Sequence, residues 1–263
     1  MQPMWKSHIV KQTTGPDDPE FQATLQDALR QVSPDDVIAI ADELAERRAR
    51  LFSQLEVDSA ALKFSPVEIF SAVAHTNANA QFLVKYFSQS DDRVFEDLLY
   101  GEASAPVRVA TFVERLSDMD TRLALELATG LLHNISPNDN WLWTRWLWDP
   151  TTGTGALPLL AGSAHNLLAE NIVNGYTRVG AVSSMSMKFG EGTGLFIPEL
   201  ISDERRAPFA NSAFLACVYG IYLYGTTSWR LSREFNRLMP TLPNMARRLL
   251  GLKKIRCLVM GNC

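Results

Sequence analysis

Cysteine is scarce in this chain, which has 263 residues and three cysteines, Cys217, Cys257 and Cys263. No two of them form a C-x-x-C pair, so the sequence indicates neither a zinc ribbon nor a disulfide scaffold. The N-terminal residues also lack the long apolar core of a signal peptide. We therefore expect a cytoplasmic protein, because free cysteines are usual in a reducing compartment.

Positive charge is also in short supply. Lys and Arg number 25 against 29 Asp and Glu, which leaves a formal net charge of -4. Nucleic-acid affinity comes largely from neutralising phosphates, so nucleic acid is not an expected partner. Two enzyme motifs are missing, the P-loop lysine and the nucleophile elbow G-x-S-x-G. The sequence leaves open whether the protein is an enzyme.

Long apolar runs are almost absent. One uncharged stretch could be either a transmembrane span or a buried core helix. Residues 207–229 carry no charge over 23 positions, which is long enough to span a bilayer. The stretch also contains Asn211, Ser212, two glycines and three tyrosines. We expect a buried core helix and no transmembrane span.

Helix-start signals recur along the chain. Three segments follow the pattern S-P-x-[DE]: Ser33-Pro34-Asp35-Asp36, Ser65-Pro66-Val67-Glu68 and Ser136-Pro137-Asn138-Asp139. In this pattern serine caps free backbone N–H groups, proline suits the first helical position and the acid favours the positive end of the dipole. Apolar residues at helical spacing follow, as in Val37, Ile40 and Leu44. The sequence predicts a mainly α protein with a single multi-helix domain.

The division of the chain follows from these helices. We expect an N-terminal arm at residues 1–18, a helical domain at 19–243 and a basic amphipathic C-terminal segment at 244–263. A helix is predicted from Pro158 to about Asn174, ending at Gly175. Residues 176–200 are glycine-rich with little helical period, which predicts a short irregular or hairpin insert.

Four of the six tryptophans fall within eight positions, at Trp141, Trp143, Trp146 and Trp148. They follow the cap at Ser136, which predicts that the tryptophan run begins inside a helix. Arg145 lies among them and can stack on an indole ring. Packing between helices of this chain is one interpretation, and an aromatic pocket or partner surface is the other.

The next residues, Asp149-Pro150-Thr151-Thr152-Gly153-Thr154-Gly155, have the form D-P-x-x-G-x-G. This form resembles the glycine-rich first motif of adenosylmethionine-dependent methyltransferases. That motif follows a hydrophobic strand, whereas a helix cap precedes it here, and no N-P-P-[YF] motif occurs. We expect Asp149-Pro150 to end a helix and the glycines to form a flexible turn.

Three histidines each have a glutamate nearby: Glu68 with His75, Glu126 with His133, and His165 with Glu170. A spacing of seven places the first two pairs each on one helix face. The order resembles that of haem-oxygenase-like di-iron oxidases, in which a glutamate and a histidine seven apart precede a second glutamate and a late H-x-x-x-D-x-x-H helix. The pattern departs at Ala169 and Ile172, where Glu170 and His133 would substitute. The resemblance implies iron as the cofactor; otherwise no cofactor is favoured.

The C-terminal segment is basic, with Arg247, Arg248, Lys253 and Lys254 interleaved with leucines. Such segments bind anionic membrane surfaces or acidic partner grooves, which allows a peripheral membrane location. The sequence therefore predicts a non-catalytic helical interaction protein that uses the tryptophan-rich surface or pocket and the basic segment. The alternative is a metal-dependent di-iron oxidase built on the Glu/His cluster.

Overall fold

A computed structural model describes residues 27, 29–30, 32–57, 70, 73, 79–88, 93–161, 167–228 and 240–252. Within these residues the chain forms ten helices and no strand, which confirms the mainly α fold. The helices are α1 (Pro34–Val57), α2 (Ala80–Phe87), α3 (Arg93–Tyr100), α4 (Ala105–Arg115), α5 (Thr121–Ile135), α6 (Ala156–Leu160), α7 (Ile172–Gly192), α8 (Pro198–Ile201), α9 (Ala207–Ser228) and α10 (Leu242–Leu249).

The uncharged helix α9 lies at the centre of one half of the fold. It packs against α1, α6, α7, α8 and α10, and α4 packs against α3, α5 and α7 in the other half. Phe209, Phe214 and Val218 are buried on α9, as a core helix requires. No helix in the described part of the chain is long and apolar enough to cross a membrane.

Helix α1 begins at the predicted cap. The Ser33 hydroxyl accepts the Asp36 N–H at 3.1 Å, and the Asp36 carboxylate accepts the Ser33 N–H at 3.2 Å. Val37, Ile40 and Leu44 then turn one buried face towards the core. The capping-box prediction is confirmed at this site, and the cap predicted at Ser65 lies outside the described residues.

The third predicted cap is wrong, because Ser136 ends a helix instead of beginning one. It is the C-cap residue of α5, and the N–H groups of Asp139 and Asn140 both donate to its carbonyl in a turn. The α5 helix itself begins at Asp120, whose carboxylate accepts the Leu123 N–H at 2.9 Å. Residues 136–155 therefore form no α-helix, and we call them the tryptophan loop.

The predicted insert at residues 176–200 is also wrong. Most of that stretch belongs to α7, which runs for 21 residues from the Asn171 cap to Gly192. The helix predicted from Pro158 to Asn174 is replaced by the short α6 and by the start of α7, and Gly175 lies inside α7. The glycines misled the prediction because they serve packing: a Cβ on Gly180 would lie 2.6 Å from the Trp141 indole.

The beginning of the C-terminal segment packs on the helical domain. Helix α10 contacts α9 and α1, with Ala246 and Leu250 buried. Arg47 of α1 donates to the Leu250 carbonyl at 2.7 Å. The predicted boundary at 243/244 therefore falls inside a helix, while residues 1–18 and 253–263 lie outside the described residues.

Candidate functional site

The tryptophan loop is held by side chains of the helices beneath it. The Trp143 N–H donates to the Thr129 hydroxyl on α5 at 3.1 Å. The Trp141 N–H donates to the Tyr176 hydroxyl on α7 at 3.0 Å, and that hydroxyl donates back to the Trp141 carbonyl at 2.8 Å. Because these distant groups satisfy the backbone, the loop needs no helical hydrogen bonds.

The glycine-spaced stretch closes a tight turn within this loop. The Asp149 N–H donates to the Thr154 carbonyl at 2.8 Å, and the Asp149 carboxylate accepts the Thr151 N–H at 2.9 Å. Gly153 and Gly155 have φ angles of 69° and 141°, which favour glycine. The predicted turn is present, but no helix precedes it. Backbone geometry explains both glycines without a cofactor.

Three of the four clustered tryptophans lie in the core. Trp143, Trp146 and Trp148 are 3%, 3% and 1% exposed, and Trp141 is partly buried. The Trp143 ring stacks on Tyr176 with centroids 6.5 Å apart, and its N–H donates to the Trp148 carbonyl. The sequence predicted an exposed aromatic surface, but packing between the loop and its supporting helices buries most of the indole area.

A small cleft opens between the loop and the first turns of α5 and α7, and we call it the arginine cleft. Its volume is about 30 Å³, which is more than the roughly 10–15 Å³ that a cavity needs to hold one water molecule. The apolar part of its lining comes from Leu125, Trp143, Trp148 and Ile172. The polar part comes from Thr121, Arg122, Glu126, Thr144, Arg145, Asp149 and Thr151.

One buried carboxylate positions two arginines at this cleft. Asp149 is 2% exposed, and its oxygens lie 3.1 Å from Arg145 Nε and 3.9 Å from Arg122 Nη2. The side chains of Arg145 and Arg122 are 62% and 41% exposed. Two guanidinium groups are therefore exposed to solvent, while the Asp149 carboxylate that lies beside them is buried.

Glu126 lies beneath Arg145 and contributes to the same cleft. Its carboxylate accepts the Arg145 N–H at 3.0 Å. Burial raises the pKa of Glu126 above its usual range, against the lowering effects of the Arg145 N–H and of Arg122. The neutral form of this carboxyl group is thus favoured relative to that of an exposed glutamate.

His133 has both ring nitrogens occupied within the chain. Nδ1 donates to the Asn140 carbonyl at 2.8 Å, so Nε2 is the acceptor for the Ser212 hydroxyl at 3.0 Å. Burial lowers the pKa of His133 to about 4. This residue is therefore a neutral core histidine that ties α5 to the tryptophan loop and to α9.

Only one of the other four proposed metal ligands lies among the described residues. Glu170 is exposed just before α7, and Glu68, His75 and His165 lie outside the described residues. No three His, Cys, Asp or Glu side chains in the described part of the chain form a metal-binding group. The di-iron site stays a prediction.

The basic residues of the C-terminal segment lie elsewhere. Arg247 is 14% exposed and contacts Glu43 of α1 through Nε at 2.6 Å. Arg248 is partly buried, and Lys253 and Lys254 lie outside the described residues. Arg247 thus contributes to docking of α10.

Sequence reasoning missed several members of the cleft, among them Arg122, Thr144 and Asp149. The i, i+4 spacing of Arg145 and Asp149 was a usable signal, although that pair occurs in a turn here. Nothing local connects Arg122 with Asp149, which is 27 positions away. No protein-family model, curated protein or solved structure matches this chain.

Proposed function

We propose that the protein is a non-catalytic helical interaction protein and that the arginine cleft is its binding site. The observation that carries the proposal is the pair of exposed guanidinium groups, Arg122 and Arg145, anchored on buried Asp149 beside an aromatic wall. Arginine and tryptophan are enriched among the residues that dominate binding energy in protein interfaces. A guanidinium held by a buried partner also loses less conformational entropy on binding than a free side chain.

The size of the cleft favours surface recognition over turnover of a small substrate. Pockets that enclose small molecules usually measure roughly 300–1,000 Å³, against about 30 Å³ here. A cleft of this size admits the end of one side chain from a partner surface.

The basic C-terminal segment is the second element of the proposal. It is expected to attach the protein to an anionic membrane surface or to an acidic partner, in a cytoplasmic setting. Since Arg247 already pairs with Glu43, Arg248, Lys253 and Lys254 are the residues expected to supply this attraction.

A peptide-display selection tests the cleft without assuming the chemistry of the partner. Random peptides are selected on the wild-type protein and then measured on two variants. Thr151→Trp places a ring at an exposed position that lines the cleft, and Thr152→Trp places the same ring at the next exposed position, outside the lining. Both leave the backbone bond from Thr151 to Asp149 available.

The expected result is a set of peptides that bind wild type and Thr152→Trp equally and bind Thr151→Trp at least about tenfold more weakly, through exclusion from the cleft. If every selected peptide binds all three proteins equally, the cleft is not the binding site. Circular dichroism of both variants verifies that the helices are retained.

A further inference from the structure

We infer that the arginine cleft binds an acidic segment of a protein partner, in which an aspartate or glutamate lies next to a short aliphatic side chain. This inference rests on the proposed function and names the chemistry of its partner. It rests on Nη1 and Nη2 of Arg145, which are unpaired in the described part of the chain, on the charged and polar groups beside them and on the size of the apolar lining of the cleft.

Arg145 has an edge available for a carboxylate. Its Nε is engaged by Asp149 at 3.1 Å, and Nη1 and Nη2 have no hydrogen-bond partner within the described residues. A guanidinium used in this way can donate two parallel N–H···O bonds from Nη1 and Nη2 to one carboxylate. Arg122 lies on the other side of Asp149 and adds a second positive charge to the same ligand.

The negative groups around the cleft leave this attraction in place. Asp149 is 2% exposed and Glu126 is 9% exposed, so solvent scarcely reaches either carboxyl group. Asp120, whose charge also acts on Glu126, is engaged as the cap of α5. The two exposed guanidinium groups face the solvent while the carboxyl groups of Asp149 and Glu126 are buried, so the exposed pair is complementary to an anionic ligand.

Thr144 supplies a polar group that lacks a partner. It is 2% exposed and lines the cleft, and its buried hydroxyl has no hydrogen-bond partner in the described part of the chain. A buried hydroxyl without a hydrogen-bond partner is unfavourable. Because this hydroxyl is itself covered, a ligand group can bond to it only if the side chains around Thr144 shift slightly on binding.

The apolar lining of the cleft favours a peptide over a simple anion as the ligand. The lining is mainly apolar, from Leu125, Trp143, Trp148 and Ile172, and the space is about 30 Å³. The space is narrow, so a methyl or short aliphatic group covers this apolar lining with less displacement of its side chains than an aromatic ring needs. Inorganic phosphate would satisfy the arginines but leave the apolar lining in contact with water, so we favour the acidic peptide.

The experiment uses short fluorescent peptides that differ at two adjacent central positions, with affinity measured by anisotropy on the full chain. The pairs are Asp-Ala, Asn-Ala and Asp-Phe, and inorganic phosphate serves as a competitor. We expect Asp-Ala to bind best, with about a tenfold loss for Asn-Ala, as for removal of a charge-assisted hydrogen bond. Asp-Phe should also bind more weakly, and phosphate should compete poorly.

Protein variants show whether the binding comes from Arg145. Arg145→Ala should reduce Asp-Ala binding about tenfold, and Arg145→Lys should give a partial loss because it keeps charge without the planar fork. The matched control is Arg115→Ala, since Arg115 is 48% exposed and pairs with exposed Asp97 away from the cleft. This variant should bind like wild type. Melting temperatures of all variants show whether any loss is due to unfolding.

The outcomes separate the two proposals. Equal binding of Asp-Ala and Asn-Ala, or displacement by phosphate at peptide-like concentrations, would overturn the acidic-segment inference. Peptides of another chemistry that Thr151→Trp still excludes would leave the proposed function standing. If Arg145→Ala and Arg115→Ala lower binding equally, the acidic segment binds by general charge attraction and the inference fails.

Discussion

The tryptophan loop and helix α7 are both rich in glycine, and they use it for different reasons. In the loop, Gly155 has a φ of 141°, and a Cβ there would collide with the Leu147 carbonyl. In α7, Gly175 is an ordinary helical residue whose missing side chain makes room for the Trp143 indole. Gly155 is required by its backbone conformation, whereas Gly175 is required by the close approach of the Trp143 ring. A glycine-rich segment therefore does not by itself indicate irregular structure.

Replacement of Gly155 by alanine is the sharpest test and carries the largest expected effect. Its backbone conformation is essentially restricted to glycine, and the obstacle is backbone, which cannot move away easily. We expect Gly155→Ala to lower the free energy of unfolding by more than about 3 kcal/mol, measured by urea denaturation.

The control for this substitution is Gly194→Ala, where φ is 73° and no atom lies within 4 Å of the added Cβ. It should cost only about 1–2 kcal/mol, the strain of a left-handed residue. Equal losses at the two glycines would show that collision with Leu147 contributes nothing.

Acid should weaken the attachment of the loop, because a titratable side chain holds it. The pKa of His133 is about 4 in the folded protein, against 6.5 ordinarily. Below pH 6.5 this histidine binds a proton in the unfolded chain but not in the folded one. Its contribution to the free energy of unfolding is therefore complete above pH 6.5 and is lost as the pH falls towards 4. The loss from this group should be about 3 kcal/mol, measured by urea denaturation at each pH.

His133→Gln provides the comparison, since its amide can still donate to the Asn140 carbonyl but does not titrate. The variant should lose about 3 kcal/mol less than wild type between pH 7 and pH 4. A parallel decline in the two proteins would mean that the pKa of His133 is the same in the folded and the unfolded chain.

A glycine of α7 should respond more mildly than Gly155, because its obstacle is a side chain. A Cβ on Gly175 would lie 2.5 Å from the Trp143 ring. Overpacking costs about 1–3 kcal/mol and alanine's helix propensity returns up to about 1 kcal/mol. We expect Gly175→Ala to lower the free energy of unfolding by about 1–2 kcal/mol, measured by urea denaturation.

Gly192→Ala is the matched helical control, since nothing lies within 4 Å of its added Cβ. It should leave stability unchanged or raise it by up to about 1 kcal/mol. If both substitutions stabilise the protein, the close approach of Trp143 is not a constraint on α7.

The smallest expected effect is that of iron. Glu126 and His133 already hydrogen-bond to the tryptophan loop, so we expect added Fe(II) to leave the melting temperature unchanged. A rise that grows with iron concentration, and that Glu126→Gln abolishes, would instead favour the di-iron oxidase alternative.

Local signals were read correctly where their partners are near in sequence. The Ser33–Asp36 cap links residues three apart, and the buried stripe of Val37, Ile40 and Leu44 follows from the helical repeat. The same serine-proline signal failed at Ser136, because Thr129 and Tyr176 satisfy the backbone that follows it. A cap motif indicates a helix only when no distant group competes for those N–H donors.

The sequence predicted only part of the candidate site. Arg145 and the tryptophans were identified from their clustering, but exposure separates Arg145 from Trp143, Trp146 and Trp148, and exposure depends on what packs above each residue. Six residues were proposed as metal ligands, and contacts are described for only some of them, so that hypothesis rests on spacing alone.

By itself the sequence determined the helical class, the cap of α1 and the burial of the uncharged helix α9, because hydrophobic period and capping act over a few residues. Only the tertiary structure decided that α7 is a continuous helix, that Trp143, Trp146 and Trp148 face inward and that Arg122 and Arg145 both lie beside Asp149. Each of these depends on contacts between segments far apart in the chain. Their energies arise from ring packing, burial and charge pairing that form only when the helices meet.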